Sequence, residues 1–120
     1  MHSTLSASLQ SYKRSISQLY NELTIEVYGT GVRRQSITVT ENKILIFAER
    51  SRLPELSALE KGNKNLSLHL DSALRDEFKR RLRERIEETF SVSVRTILLD
   101  YDLETEMTVT AVFLIEAAQK

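Results

Sequence analysis

Between Leu66 and Phe90 the chain reads LSLHLDSALRDEFKRRLRERIEETF, and Leu66, Leu70, Leu74, Phe78, Leu82, Ile86 and Phe90 fall at every fourth position. That spacing keeps side chains near one face of an α-helix and fits no strand. Each step of four residues turns about 400°, so the apolar stripe creeps around the axis by about 40° per step. A drifting stripe suits an oblique partner such as a twisted sheet. Burying seven such side chains is worth at most on the order of 10 to 20 kcal/mol, and no other stretch matches that. The expectation is a long central helix over residues 66–90 with the remaining elements packed against it.

The remaining elements follow in chain order. From Leu5, apolar residues at Leu9, Tyr12, Ile16, Leu19, Tyr20 and Leu23 mark one face of a first helix, with Ser3 or Thr4 as its cap. Its apolar face serves either its own domain or a second copy, with Tyr12, Ile16 and Leu19 as the contacts. Gly29-Thr30-Gly31 stops it in a turn. Ser36–Thr40 alternates with period two, Glu41-Asn42-Lys43 turns, and Ile44–Ala48 is apolar on both faces, which predicts a hairpin whose second strand lies inside a sheet. Glu49-Arg50-Ser51-Arg52 reads as a return to solvent. A short helix over 55–61 follows Pro54, and Asn63-Lys64-Asn65 reads as the loop into the central helix. Val92, Val94, Ile97, Leu98 and Leu99 make a third strand, and Met107–Ile115 a fourth. On the fourth strand we assign Met107, Val109, Ala111, Phe113 and Ile115 to the helices. Val112 and Leu114 then fall on an outer face too apolar to be wholly wet, which suggests cover by another subunit. The fold expected is α+β: one domain over 1–120, a four-stranded, mostly antiparallel sheet of two hairpins, with all helices on one face.

Composition narrows the function. The 17 Lys+Arg balance 17 Asp+Glu, which argues against a field-driven nucleic-acid or membrane binder. Zero cysteines exclude disulfides and thiolate chemistry. There is no run of apolar residues long enough to span a bilayer and none like a signal peptide's, so a cytoplasmic protein is expected. Gly29-Thr30-Gly31 is no phosphate loop: no strand precedes it, and no third glycine or Lys-Ser/Thr pair follows. The four carboxylates of residues 100–106 lack the glycine and the ligand spacing of a calcium loop and read as turn chemistry. His69 has no partner that would make it catalytic, and no cofactor, metal or enzymatic constellation is expected. Basic and acidic residues interleave and the strands lack aromatic platforms, which argues against nucleic acid. The remaining candidates are arginines. Arg81 and Arg85 sit one turn apart beside the apolar stripe, and Arg33-Arg34 sit beside the turn; either pair suits a small anion or a partner's carboxylate.

Several motifs in this order resemble one family: Gly29-Thr30-Gly31 after a helix, Glu60-Lys61-Gly62 before the long helix, Ile86-Glu87-Glu88-Thr89 leading into Ser91-Val92-Ser93-Val94, and Asp100 to Glu106 followed by Phe113-Leu114. Over roughly residues 5–116 the chain resembles the MpsC-type family of small bacterial domains. It departs from the family pattern at Val32, where a proline is usual, at Leu53-Pro54, where Leu-Thr-Pro is usual, and at Ser91, where a glycine often ends the long helix. The family is named for a Na+-translocating membrane-potential-generating system. The resemblance implies a cytosolic accessory part, peripheral to the inner face of the membrane, of a complex that couples cation movement to inorganic-carbon uptake. The reading is therefore a non-catalytic accessory domain that forms a homo-oligomer, in the simplest case a dimer, and docks on a membrane complex. The alternatives are a small-anion sensor and, third, a nucleic-acid-binding module.

Overall fold

A computed structural model describes residues 9–52 and 54–115. The caps expected at Ser3 or Thr4, the start of the first helix at Leu5, and Leu53 lie outside the described residues. The elements are α1 (Lys13–Tyr28), β1 (Val32–Thr40), β2 (Lys43–Arg50), α2 (Pro54–Gly62), α3 (Lys64–Phe90), β3 (Ser93–Tyr101) and β4 (Met107–Ile115). The strands form one antiparallel sheet in the order β1-β2-β4-β3, so β2 and β4 are central, and β1 and β3 are edges. This is the α+β domain expected.

Several boundaries shift for local reasons. The first helix is interrupted within the described residues: the chain turns at Ser11 and Tyr12, with the Tyr12 amide donating to the Leu9 carbonyl at 3.0 Å. Gln10 Nε2 donates to the Val39 carbonyl at 2.8 Å and ties that turn to β1. Gly29 ends α1 in the left-handed region at φ 82°. Gly31 is needed for a different reason, since a Cβ there would lie 2.8 Å from Asn21 Oδ1, the atom that accepts from the Val32 amide. Asn63 belongs to no free loop. Its side chain caps α3 by accepting from the Leu66 amide at 3.1 Å.

The core lies between α1, the C-terminal half of α3 and one face of the sheet. Phe78, Leu82 and Ile86 meet Ile16, Leu19, Tyr20 and Leu23 over Val39, Ile44, Ile46, Val94, Ile97, Val112 and Leu114. The seven-residue stripe of α3 thus divides. Its C-terminal part is buried, whereas Leu66 and Leu70 are 45% and 40% exposed. Geometry explains this: a helix of 27 residues runs about 40 Å at 1.5 Å per residue, whereas a sheet of four strands is under about 20 Å wide. The helix overhangs the sheet, and the molecule measures 52 × 25 × 20 Å. Leu56 of α2 is buried against the chain, while Leu68, next on α3 to the overhanging positions, is exposed as well.

The assignment of the two faces of β4 is reversed. Thr108, Thr110, Val112 and Leu114 point to the helices and are buried, while Met107, Val109 and Ile115 are exposed and Ala111 and Phe113 half-buried. Register decides it. Ile44 pairs with Val112, Ile46 with Thr110, and Val94 with Leu114, so these residues share a face with the buried side chains of β2 and β3. The inward threonines are satisfied: Thr110 Oγ1 lies 2.8 Å from Tyr20 Oη, and Thr108 Oγ1 donates to the Asp100 carbonyl at 2.9 Å.

Two predictions follow from this packing. Leu82→Ala is expected to cost about 2 to 5 kcal/mol and Leu66→Ala under about 1 kcal/mol, measured by urea unfolding, because only the first creates a cavity. Ser91 ends α3 in the left-handed region at φ 55° and ψ 46°, so Ser91→Gly is expected to raise stability by about 0.5 to 1 kcal/mol in the same assay.

Candidate functional site

The reversal of β4 leaves a sheet face with none of the described helices on it. Cross-strand register builds it in rows: Ser36, Phe47, Val109 and Asp100; then Thr38, Leu45, Ala111 and Leu98; then Thr40, Lys43, Phe113 and Thr96. Phe47, Leu98, Met107, Val109 and Ile115 are exposed large apolar side chains on this face. Lys43 and Glu49 mark opposite ends of its central strand β2.

The oligomer contacts expected from sequence are placed elsewhere. Ile16, Leu19, Val112 and Leu114 are all within the chain's own core. Ile16 and Leu19 of α1 face Val112 and Leu114 of β4 across the core, so all four are buried within the chain itself. Only Tyr12 is exposed, and its ring packs on Phe90 with centroids 5.2 Å apart.

Three of the four arginines picked from sequence, Arg33, Arg81 and Arg85, already hold carboxylates. Arg81 and Arg85 both reach Glu26 of α1, at 2.8 and 2.7 Å, and Arg81 Nε also donates to Glu77 at 2.6 Å. The carboxylate they suit is the chain's own, and it relieves the repulsion between them. Glu26 is held below the usual carboxylate range by Arg85 first and Arg81 second. Arg33 pairs with Glu106 at 2.9 Å and donates to Ser51 Oγ at 2.6 Å. Arg34 is exposed at the β1 edge beside Phe47 and Met107, where a shallow groove of about 150 Å³ opens. Arg33 and Arg34 lie at the start of β1, just past the turn at Gly29–Gly31. Asp102 accepts from the Thr105 amide at 2.9 Å and from its hydroxyl at 2.7 Å, which is the turn chemistry expected of that acidic stretch. His69 is exposed on α3. Among the described residues no group of three His, Asp or Glu side chains is placed to hold a metal ion.

Sequence reasoning missed Arg50 and Arg52, which it sent to solvent. The Arg52 side chain is 7% exposed and bridges Glu60 at 3.2 Å, Ser67 at 3.0 Å and Asp71 at 2.6 Å, joining β2's exit to α2 and α3. Arg50 is 8% exposed, with its guanidinium carbon 3.6 Å from the Tyr28 ring centroid and 4.3 Å from that of Tyr101. The only sequence signal was indirect: two aromatic residues at element ends, Tyr28 and Tyr101, that the core pattern did not use. Burial raises both phenols, and Arg50 opposes the shift in each.

The fold is that of a small two-layer α+β domain, helices on one face of a four-stranded sheet and the other face open among the described residues. A family model described as the Na+-translocating membrane potential-generating system, MpsC, matches residues 8–116. The chain belongs to this family. No curated protein and no solved structure matches it. Among the described residues no helix is long and apolar enough to cross a membrane.

The ion-pair cluster has a pH signature. Glu77 accepts from Arg80 Nη2 and Arg81 Nε, each at 2.6 Å, and is lowered from 4.5 to about 2. A carboxylate whose folded value lies below its unfolded one stabilises fully above the unfolded value and loses that contribution as pH falls toward the folded one. Wild-type stability is therefore expected to drop between pH 4.5 and about 2. In Glu77→Gln the drop is shallower over that window and unchanged above it, as read from urea midpoints at a series of pH values.

Proposed function

We propose that this chain is a non-catalytic accessory domain that forms a homodimer through its open sheet face and docks, from the cytoplasmic side, on a cation-translocating membrane assembly. The membrane part of this reading is supported by the family description. The dimer is supported by one observation: β4 turns its more apolar side outward, away from the helices.

A strand normally buries its larger apolar set, because that set carries the transfer free energy. Here the outward side of β4 continues into Phe47 and Leu45 on β2 and Leu98 on β3. Four strands about 4.8 Å apart and some seven residues long make a projected face of about 400 Å², apolar along its two central strands and polar at its edges, within the range of the largest patches monomers expose. Two such patches face to face bury about 1,000 Å² or somewhat more, the low end for a specific interface. A two-fold axis lying across the strands would set Glu49 of one copy over Lys43 of its partner, and Lys43 over Glu49, at both rims. These two charges have only long contacts within the chain, at 3.9 Å to Arg33 and 3.8 Å to Glu41. A dimer of micromolar strength is the expected result.

Light scattering at tens of micromolar protein tests it. The expected mass is twice 13.8 kDa, falling to the single-chain value in Phe47→Glu with an unchanged far-ultraviolet circular dichroism spectrum. A wild-type mass of 13.8 kDa across that range would overturn the dimer. So would a dimer that survives Phe47→Glu and Leu98→Glu together.

A further inference from the structure

Arg50 is a buried cation without a counter-ion in contact: Glu106 feels its field but pairs with Arg33 at 2.9 Å. Among the described residues no carboxylate lies within ion-pair distance of it. Its neighbours are aromatic: Tyr28 and Tyr101 are each stacked within cation–π range of its guanidinium. Rings attract a guanidinium through its flat faces, whereas its five N–H donors lie in its plane and call for acceptors there. The rings therefore hold Arg50 in place through its faces, with the Tyr28 hydroxyl also within hydrogen-bond reach of the guanidinium, and no carboxylate in contact claims its charge. Tyr101 is itself fixed, its hydroxyl donating to the Arg50 carbonyl at 3.2 Å.

Beside this group opens a cavity of about 210 Å³, lined by Arg50, the two tyrosines, Arg75 and Asp71 of α3, and three leucines, Leu68, Leu99 and Leu103. Its charges do not balance. Asp71, one turn before Arg75 on α3, turns to Arg52 at 2.6 Å instead, and Arg52 takes Glu60 as well. Arg75 is thus left with no ion pair among the described residues, facing the same space as Arg50. The remaining wall is hydrocarbon. At roughly 30 Å³ per water, a cavity of this size suits a ligand of about seven heavy atoms.

We propose that this cavity binds a small organic carboxylate, its oxygens held by Arg50 and Arg75 and its short hydrocarbon body by Leu68, Leu99 and Leu103. A planar carboxylate meets a guanidinium fork with two oxygens. Inorganic phosphate matches the charge but would set unsatisfied oxygens against the leucines, whereas an uncharged ligand would leave both arginines unmatched. The site is on the helix side of the sheet, at the end of β2, and does not depend on the dimer.

The test uses the full chain with three probes: isovalerate, its uncharged analogue isovaleramide, and inorganic phosphate. Titration calorimetry and the NMR signal of Arg50 Nε–H read binding. Isovalerate is expected to bind and shift the Arg50 signal, with isovaleramide and phosphate each at least about tenfold weaker. Arg75→Gln, which keeps most of the side-chain stem and breaks no ion pair among the described residues, is expected to weaken isovalerate about tenfold with little change in the unliganded melting temperature. Arg34→Gln, an exposed arginine outside the cavity, is expected to leave binding as it is. No heat and no Arg50 shift with isovalerate up to about 20 mM would overturn the proposal. Equal binding of isovaleramide, tighter binding of phosphate, or full affinity in Arg75→Gln would each overturn it too.

Discussion

Everything in this molecule is arranged around Phe78. Its ring stands edge-on to Tyr20, with centroids 5.3 Å apart, and lies against Tyr28 at 5.5 Å, so one side chain of α3 locks both halves of α1 over the sheet. Tyr20 then carries its hydroxyl through the core to Thr110. That bond lets a threonine occupy the centre of the buried face at no cost in unpaired polar groups. With the threonines of β4 turned inward, its larger apolar residues are left outside. The exposed face is thus a consequence of how the interior is satisfied.

The helices and strands were legible because their periods are written in consecutive residues. The four-residue recurrence from Leu66 to Phe90, the β-branched alternation of Ser36–Thr40 and the turn at Glu41-Asn42-Lys43 all correspond to observed elements. Which side of a strand faces inward was not legible in β4. Period two divides the residues into two sets, but the choice between them rests on register with Ile44 and Ile46 and on Tyr20, 90 positions away from Thr110. Hydrophobicity alone favoured the wrong set.

The same limit applied to the arginines. Spacing along α3 gives neighbours on the helix, and Glu77 with Arg81 is such a pair. Asp71 with Arg75 has the same spacing, yet Asp71 is drawn to Arg52, whose buried guanidinium needs counter-charge more than a half-exposed arginine does. Arg81 and Arg85 read as open to an anion only because Glu26 lies far away in sequence. Conversely Arg50, placed in a charged stretch that looked like a surface return, is carried inside by the extension of β2 to its position and clasped by tyrosines at the ends of α1 and β3. Charge patterning read locally finds the ion pairs that matter least and misses those made across the fold.

The overhang of α3 has its own dynamic meaning. Leu66, Leu68 and Leu70 bury little, so the first turns of this helix are held less by hydrocarbon than by the polar joint in which Ser67 and Asp71 meet the buried Arg52. Such a segment can unwind and re-form at a free energy well below that of global unfolding. Leu68, Asp71 and Arg75 sit at the junction between this loosely held stretch and the anchored part. Opening of that stretch must also break the Arg52 joint, so the wall of the Arg50 cavity and the exit of β2 yield together, as one polar-sealed unit, while the sheet and its aromatic clamp stay closed.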